Sequence, residues 1–125
     1  MSEDEYLASK YHRAVGVRVA MRRRALKMTQ EQLSELVGMS RANLSNVEVG
    51  SYGTPVPNLY KIAKALKTTI HELIPKDVDE IDMFIMHTAI QELAVKVGLD
   101  PVEHEKELRE MVGKINRMKE RKNDD

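Results

Sequence analysis

Between Thr29 and Glu48 the apolar positions recur with a helical period. Leu33, Leu36 and Val37 fall at i, i+3 and i+4 and predict one inward stripe. Thr29 and Gln32 have the S/T-x-x-E/Q spacing of a capping box, so this helix is predicted to begin at Gln30. Gly38 ends it after Val37, because glycine accepts the left-handed conformation of a helix C-cap. Ser40 is placed to cap a second helix over Arg41–Val49, with Leu44 and Val47 facing inward. Two helices this short cannot bury their stripes alone. Joined by so tight a turn, they predict a helix-turn-helix, the arrangement that lays its second helix in the DNA major groove.

The pattern continues on both sides. Ser2–Lys27 reads as helical throughout, as one helix or two, with Ser2 and Glu5 offering a cap. Ser51–Pro57 is rich in Gly and Pro and reads as loop. Pro57 suits the first turn of a fourth helix carrying Leu59, Ile62, Ala63 and Leu66. Thr68 or Thr69 then caps a short fifth helix ending at Ile74, before Pro75. A further helix is predicted over Asp79–Val97. It carries one stripe at Ile81, Phe84, Ile85, Ala89, Leu93 and Val97, and a second face at Met83, Met86, Ile90 and Val95. A helix this apolar around its circumference calls for burial on more than one side. Gly98 ends it, and Asp100-Pro101-Val102-Glu103 signals another helix start. Leu108, Met111, Val112, Ile115 and Met118 continue a helical stripe there. The chain thus reads as all-α, with a helix-turn-helix DNA-binding domain and its N-terminal helical extension over residues 1–75 and a helical dimerisation hairpin over residues 76–125. Apolar surface in excess of what one partner helix covers marks Ile81, Phe84, Ile85, Ile90 and Leu93 as a dimerisation face.

The 125 residues suffice for one domain and an appendage. There is no cysteine, which excludes a disulfide framework and thiolate metal sites. No apolar run is long enough for a bilayer and the N-terminus is acidic and polar, so the expectation is a cytoplasmic protein with no membrane contact. The formal net charge is zero, yet its distribution is uneven. Residues 13–67 carry ten Lys/Arg against three Glu, a local charge of +7, whereas residues 76–125 carry nine Lys/Arg against thirteen Asp/Glu. A basic module on an acidic appendage gives local affinity for phosphate without general stickiness.

Several segments in order and spacing carry a family resemblance: V-G-V-R-V, Arg23 six residues before Thr29, TQEQLSELVGMS, L-S-N-V-E-V-G, P-N-L-Y-K-I-A-K-A-L and H-E-L-I. Residues 15–74 resemble the lambda-repressor-like helix-turn-helix domain of Cro/CI-type, XRE-family regulators. The resemblance implies a five-helix DNA-binding domain, followed here by the hairpin. Val49 stands where the family often has a polar residue, and Lys67 where it often has Gly.

The resemblance assigns base contacts to Arg41, Ala42, Ser45 and Asn46. Stepping 100° per residue from an inward Leu44, Val47 and Glu48 sends Ala42 and Asn46 outward, with Arg41 at the helix start. The chemistry suits the role: Arg can grip guanine and Asn adenine bidentately, and Ala can meet a thymine methyl. Backbone contacts are expected from Arg22, Arg24, Gln30, Ser40, Asn43 and Tyr52. The resemblance also pairs Arg23 with Glu48, and the inward position of Glu48 makes that a structural ion pair. No catalytic site is expected. His12, His71, His87 and His104 share no ligand spacing, so no metal or other cofactor is implied. His87, within an apolar helix, is expected in a core or interface. The expected function is a homodimeric transcriptional regulator of double-stranded DNA, bacterial or phage-encoded and nucleoid-associated when bound. A repressor of an inverted-repeat operator comes first. An antitoxin with a toxin as protein partner, a regulator bound by an antirepressor, and a ligand sensor using the hairpin as its pocket are the alternatives.

Overall fold

The computed structural model describes residues 2–51 and 53–123. Its elements are all helical: α1 (Glu3–Ala25), α2 (Gln30–Val37), α3 (Arg41–Val49), α4 (Val56–Ala65), α5 (Ile70–Leu73), α6 (Val78–Val97) and α7 (Glu105–Asn123). Two compact units divide the chain after Ile85, so α6 contributes its first eight residues to the first unit and the remainder to the second.

α1 is one continuous helix, capped where the Glu5 N–H donates to Ser2 Oγ at 3.1 Å. The capping box of α2 is complete. Gln32 N–H donates to Thr29 Oγ1 at 3.0 Å and Thr29 N–H to Gln32 Oε1 at 2.8 Å, which satisfies two otherwise orphaned donors. Ser40 Oγ accepts from Asn43 N–H at 3.0 Å and starts α3. These signals are local, which is why α2 and α3 fall where the sequence places them.

The core of the first unit is built from Val19 of α1, Leu33 and Val37 of α2, Leu44 and Val47 of α3, Ile62 and Ala63 of α4, Leu66, and Leu73 of α5. Leu36 is a correction. It is 66% exposed, while Ser34 is buried and donates from Oγ to Glu31 O at 2.8 Å. α2 therefore turns the Leu33–Ser34–Val37 side inward, and Leu36 lies beyond the edge of that face.

The first half of α6 packs on α1. Ile81 and Phe84 are buried with Ala14, and Tyr11, Val17 and Ile85 close around them. The Arg18 guanidinium carbon lies 3.8 Å from the centroid of the Phe84 ring, and Lys10 Nζ lies 3.6 Å from Asp82. Arg18 Nε is buried and has no hydrogen-bond partner among the described residues, so the ring face is its compensation. α6 begins at Val78, earlier than the expected Asp79, because Asp77 Oδ1 accepts from Glu80 N–H at 2.9 Å.

In the second unit Ile90 and Ala94 of α6 pack against Leu108 and Val112 of α7, with Met86, Ala89 and Leu93 at the edge. α7 starts later than expected. Asp100 Oδ1 accepts from both Val102 and Glu103 N–H at 2.9 Å, but these bonds hold a turn over residues 101–104, and the regular helix begins at Glu105. His87, expected in a core or interface, is exposed.

The dimer-face expectation changes with this packing. Ile81 and Phe84 are covered by α1 of the same chain, and Ile90 by α7, while Ile85 and Leu93 are half-buried. Sequence counted the α6 surface correctly but not the helix that covers its first half.

Candidate nucleic-acid interface

The candidate reading face lies on α3, and what fixes α3 is its contact with α1. A Cβ built on Gly16 would stand 2.4 Å from Val47 O and 2.5 Å from Glu48 O. Only glycine lets the α1 backbone approach the last turn of α3 so closely. At the end of that turn Gly50 has φ +71°, and a Cβ there would meet Arg13 Cα at 2.6 Å. α1 is thus pressed along the inner side of α3 at two points.

A buried ion pair fixes the same contact. Arg23 Nε donates to Glu48 Oε2 at 2.7 Å and Nη2 to Oε1 at 2.9 Å. Nη1 donates to Met28 O at 2.8 Å, and Gln30 Nε2 to Glu48 Oε1 at 3.1 Å. Arg23 is 9% and Glu48 8% exposed. The hydrogen bonds to Glu48 hold the Arg23 guanidinium above its already high pKa, against the opposing effect of burial. With both fork nitrogens on one carboxylate, the pair ties α1 to the last turn of α3.

The opposite side of α3 is open. Arg41, Ala42, Asn43, Asn46 and Val49 are exposed and Ser45 is half-buried, while Leu44, Val47 and Glu48 are buried. The residues assigned to base contact therefore share one exposed face. Arg24 is also exposed.

The residues expected at phosphates are less uniform. Arg22 Nε donates to Leu66 O at 3.0 Å and Nη2 to Lys67 O at 3.1 Å, so it is engaged in closing the end of α4. Gln30 is drawn into the Arg23–Glu48 pair through its amide nitrogen. Ser40 is exposed beside the start of α3 but its Oγ accepts the capping bond. Tyr52 lies outside the described residues. Sequence reasoning missed the Arg22 and Gln30 engagements, whose partners are 44 and 18 residues away. It also missed Met28 O, a backbone acceptor that no side-chain identity announces.

Among the described residues no cluster of three or more His, Cys, Asp or Glu could hold a metal ion. No helix among them is long and apolar enough to cross a membrane.

Comparison with known proteins locates this geometry. Residues 19–73 match the helix-turn-helix family. The restriction-modification controller protein C.AhdI from Aeromonas hydrophila is similar at 32% identity, with a TM-score of 0.49 over 50% of this chain and 96% of that one. The clp gene regulator ClgR from Corynebacterium glutamicum shares the fold at 22% identity, with a TM-score of 0.53 over 70% of this chain and 88% of that one. No curated protein matches the chain.

Proposed function

The chain belongs to the lambda-repressor-like, Cro/CI-type helix-turn-helix family of DNA-binding transcriptional regulators, and from that premise we propose that it is a homodimeric repressor of an inverted-repeat operator. Each reading helix would enter one major-groove half-site, with Arg41, Ala42, Ser45 and Asn46 at the base edges. Arg24, Ser40 and Asn43 would lie nearest the phosphates.

The observation that carries the dimer is apolar surface left over on α7. Met111, Ile115 and Met118 recur at i, i+4 and i+7 and are 36%, 40% and 62% exposed. They lie beside Leu108 and Val112, which α6 covers. A two-helix unit with so few buried side chains is too small to be stable on its own core. A second copy offers an identical stripe, and two-fold pairing closes both at once. The dimer face therefore moves from the first half of α6 to the outer side of α7. Two reading heads carried by one dimer call for half-sites about 34 Å apart, and a dimer seated over a promoter excludes polymerase without any cofactor.

Sedimentation of the full chain, with selection of binding sites from random duplexes, tests this reading. The expected results are a dimer and a symmetric site. Ile115→Asp with Met118→Asp should give a monomer whose first unit stays folded and which binds the same site at least tenfold more weakly. A full chain that stays monomeric and selects a single asymmetric site would overturn the proposal.

A further inference from the structure

The last turn of α3 has a neighbour that precedes the family match at residues 19–73. At Gly50 the chain folds against the backbone of Arg13. Three residues on, a Cβ built at Gly53 would stand 2.9 Å from His12 Nε2. The His12–Arg13 segment of α1 therefore lies alongside both the end of the reading helix and the loop that leaves it.

That position has a consequence for DNA. A nine-residue helix is about 13 Å long, and the major groove is about 12 Å wide. A helix laid in the groove by its outward face has a sugar-phosphate strand near each end. At the start of α3 the neighbours are Ser40 and Arg41. At its other end the backbone of Arg13 adjoins Gly50. Arg13 is exposed, and among the described residues it has no carboxylate partner. The local charge is favourable. From Arg41 to Pro75 the acidic residues are Glu48, which is committed to Arg23, and Glu72.

We propose that Arg13 is a DNA phosphate contact, supplied by the N-terminal part of α1 and seated at the C-terminal end of the reading helix. The inference rests on the DNA-binding reading above and adds to it a residue outside the helix-turn-helix itself. It also gives the N-terminal lengthening of α1 a use. Packing at Gly50 involves the backbone of Arg13, so truncating the side chain leaves the contact between α1 and α3 in place.

The test is fluorescence anisotropy of the full chain at several salt concentrations, on a duplex recovered by selection and on its scrambled version. Arg13→Ala should weaken both duplexes alike and lower the slope of log K against log salt by about one. Over the range 50–200 mM this makes the loss of affinity roughly fourfold smaller than for the unaltered chain. Arg13→Lys, which keeps the charge, should restore the slope, and both variants should melt at the parent temperature. Asn46→Ala serves as the internal reference and should relax base preference with the slope unchanged. An unchanged slope for Arg13→Ala, beside an Asn46→Ala that behaves as stated, overturns the Arg13 assignment alone. A loss confined to the selected duplex also overturns it, because the contact would then be to a base. Failure of the unaltered chain to bind any selected duplex overturns the reading beneath it.

Discussion

Glu48 occupies the inward side of a helix whose outward side must stay polar enough for DNA. Its carboxylate is buried and takes three hydrogen bonds, two from Arg23 and one from Gln30. Removing it would leave the Arg23 guanidinium buried with Met28 O as its remaining partner among the described residues. Breaking a buried pair from one side typically costs about 3–5 kcal/mol. Glu48→Ala should therefore lower the melting temperature in thermal denaturation by many degrees and weaken binding to all duplexes together. A melting temperature equal to that of the parent would show that the pair contributes nothing. The inward position of Glu48 was legible in sequence, because a 100° step from Leu44 and Val47 places it. The third partner was not, since Gln30 reaches it across two helices. Leu36 gives the converse lesson. Its spacing from Leu33 fitted a stripe, but a stripe has two possible flanks, and packing chose the flank with Ser34.

At the scale of elements, the end of α4 differs from the ends of α2, α3 and α6, where glycine takes the positive φ. Here Lys67 takes it, at φ +56°, and its carbonyl and that of Leu66 accept from Arg22. A side chain in the left-handed region costs about 1–2 kcal/mol, and part of that gain is returned as the extra freedom glycine has when unfolded. Lys67→Gly should stabilise the protein by roughly 0.5–1 kcal/mol, measured by urea denaturation. A loss of stability would show that the lysine side chain makes a compensating contact. The family pattern singles out Lys67, but the strain and the Arg22 bonds that hold it arise only from tertiary packing. α7 is similar: Asp100 is a capping residue, as its identity foretold, yet it closes a turn and the helix waits until Glu105.

At the scale of the whole molecule, the boundary between units falls within a helix. Residues 78–85 read as part of the appendage in sequence, and in the structure Ile81 and Phe84 complete the packing around Ala14. Burying two such side chains is worth about 1.5–3 kcal/mol each, less the entropy of ordering that turn and a half of helix. A fragment ending at residue 85 should therefore melt at a higher temperature than one ending at residue 75, which would expose Ala14 and Val17. Equal melting temperatures by circular dichroism would mean that this contact is dispensable and that the domain ends near Pro75.

The sequence by itself determined the helical class, the bounds of α2 and α3, the outward pair Ala42 and Asn46, and the absence of cysteine chemistry. Each is a matter of local spacing: a cap bonds three residues away, a stripe repeats every turn, and a left-handed glycine ends its own helix. Tertiary structure decided which side of α2 faces the core, which arginine closes α4, and which residue lies at the far end of the reading helix. It also decided that α1 covers the first half of α6, and that Met111, Ile115 and Met118 of α7 are exposed among the described residues. These depend on contacts between residues tens of positions apart. A period of 3.6 tells which residues share a face but not which helix that face will meet.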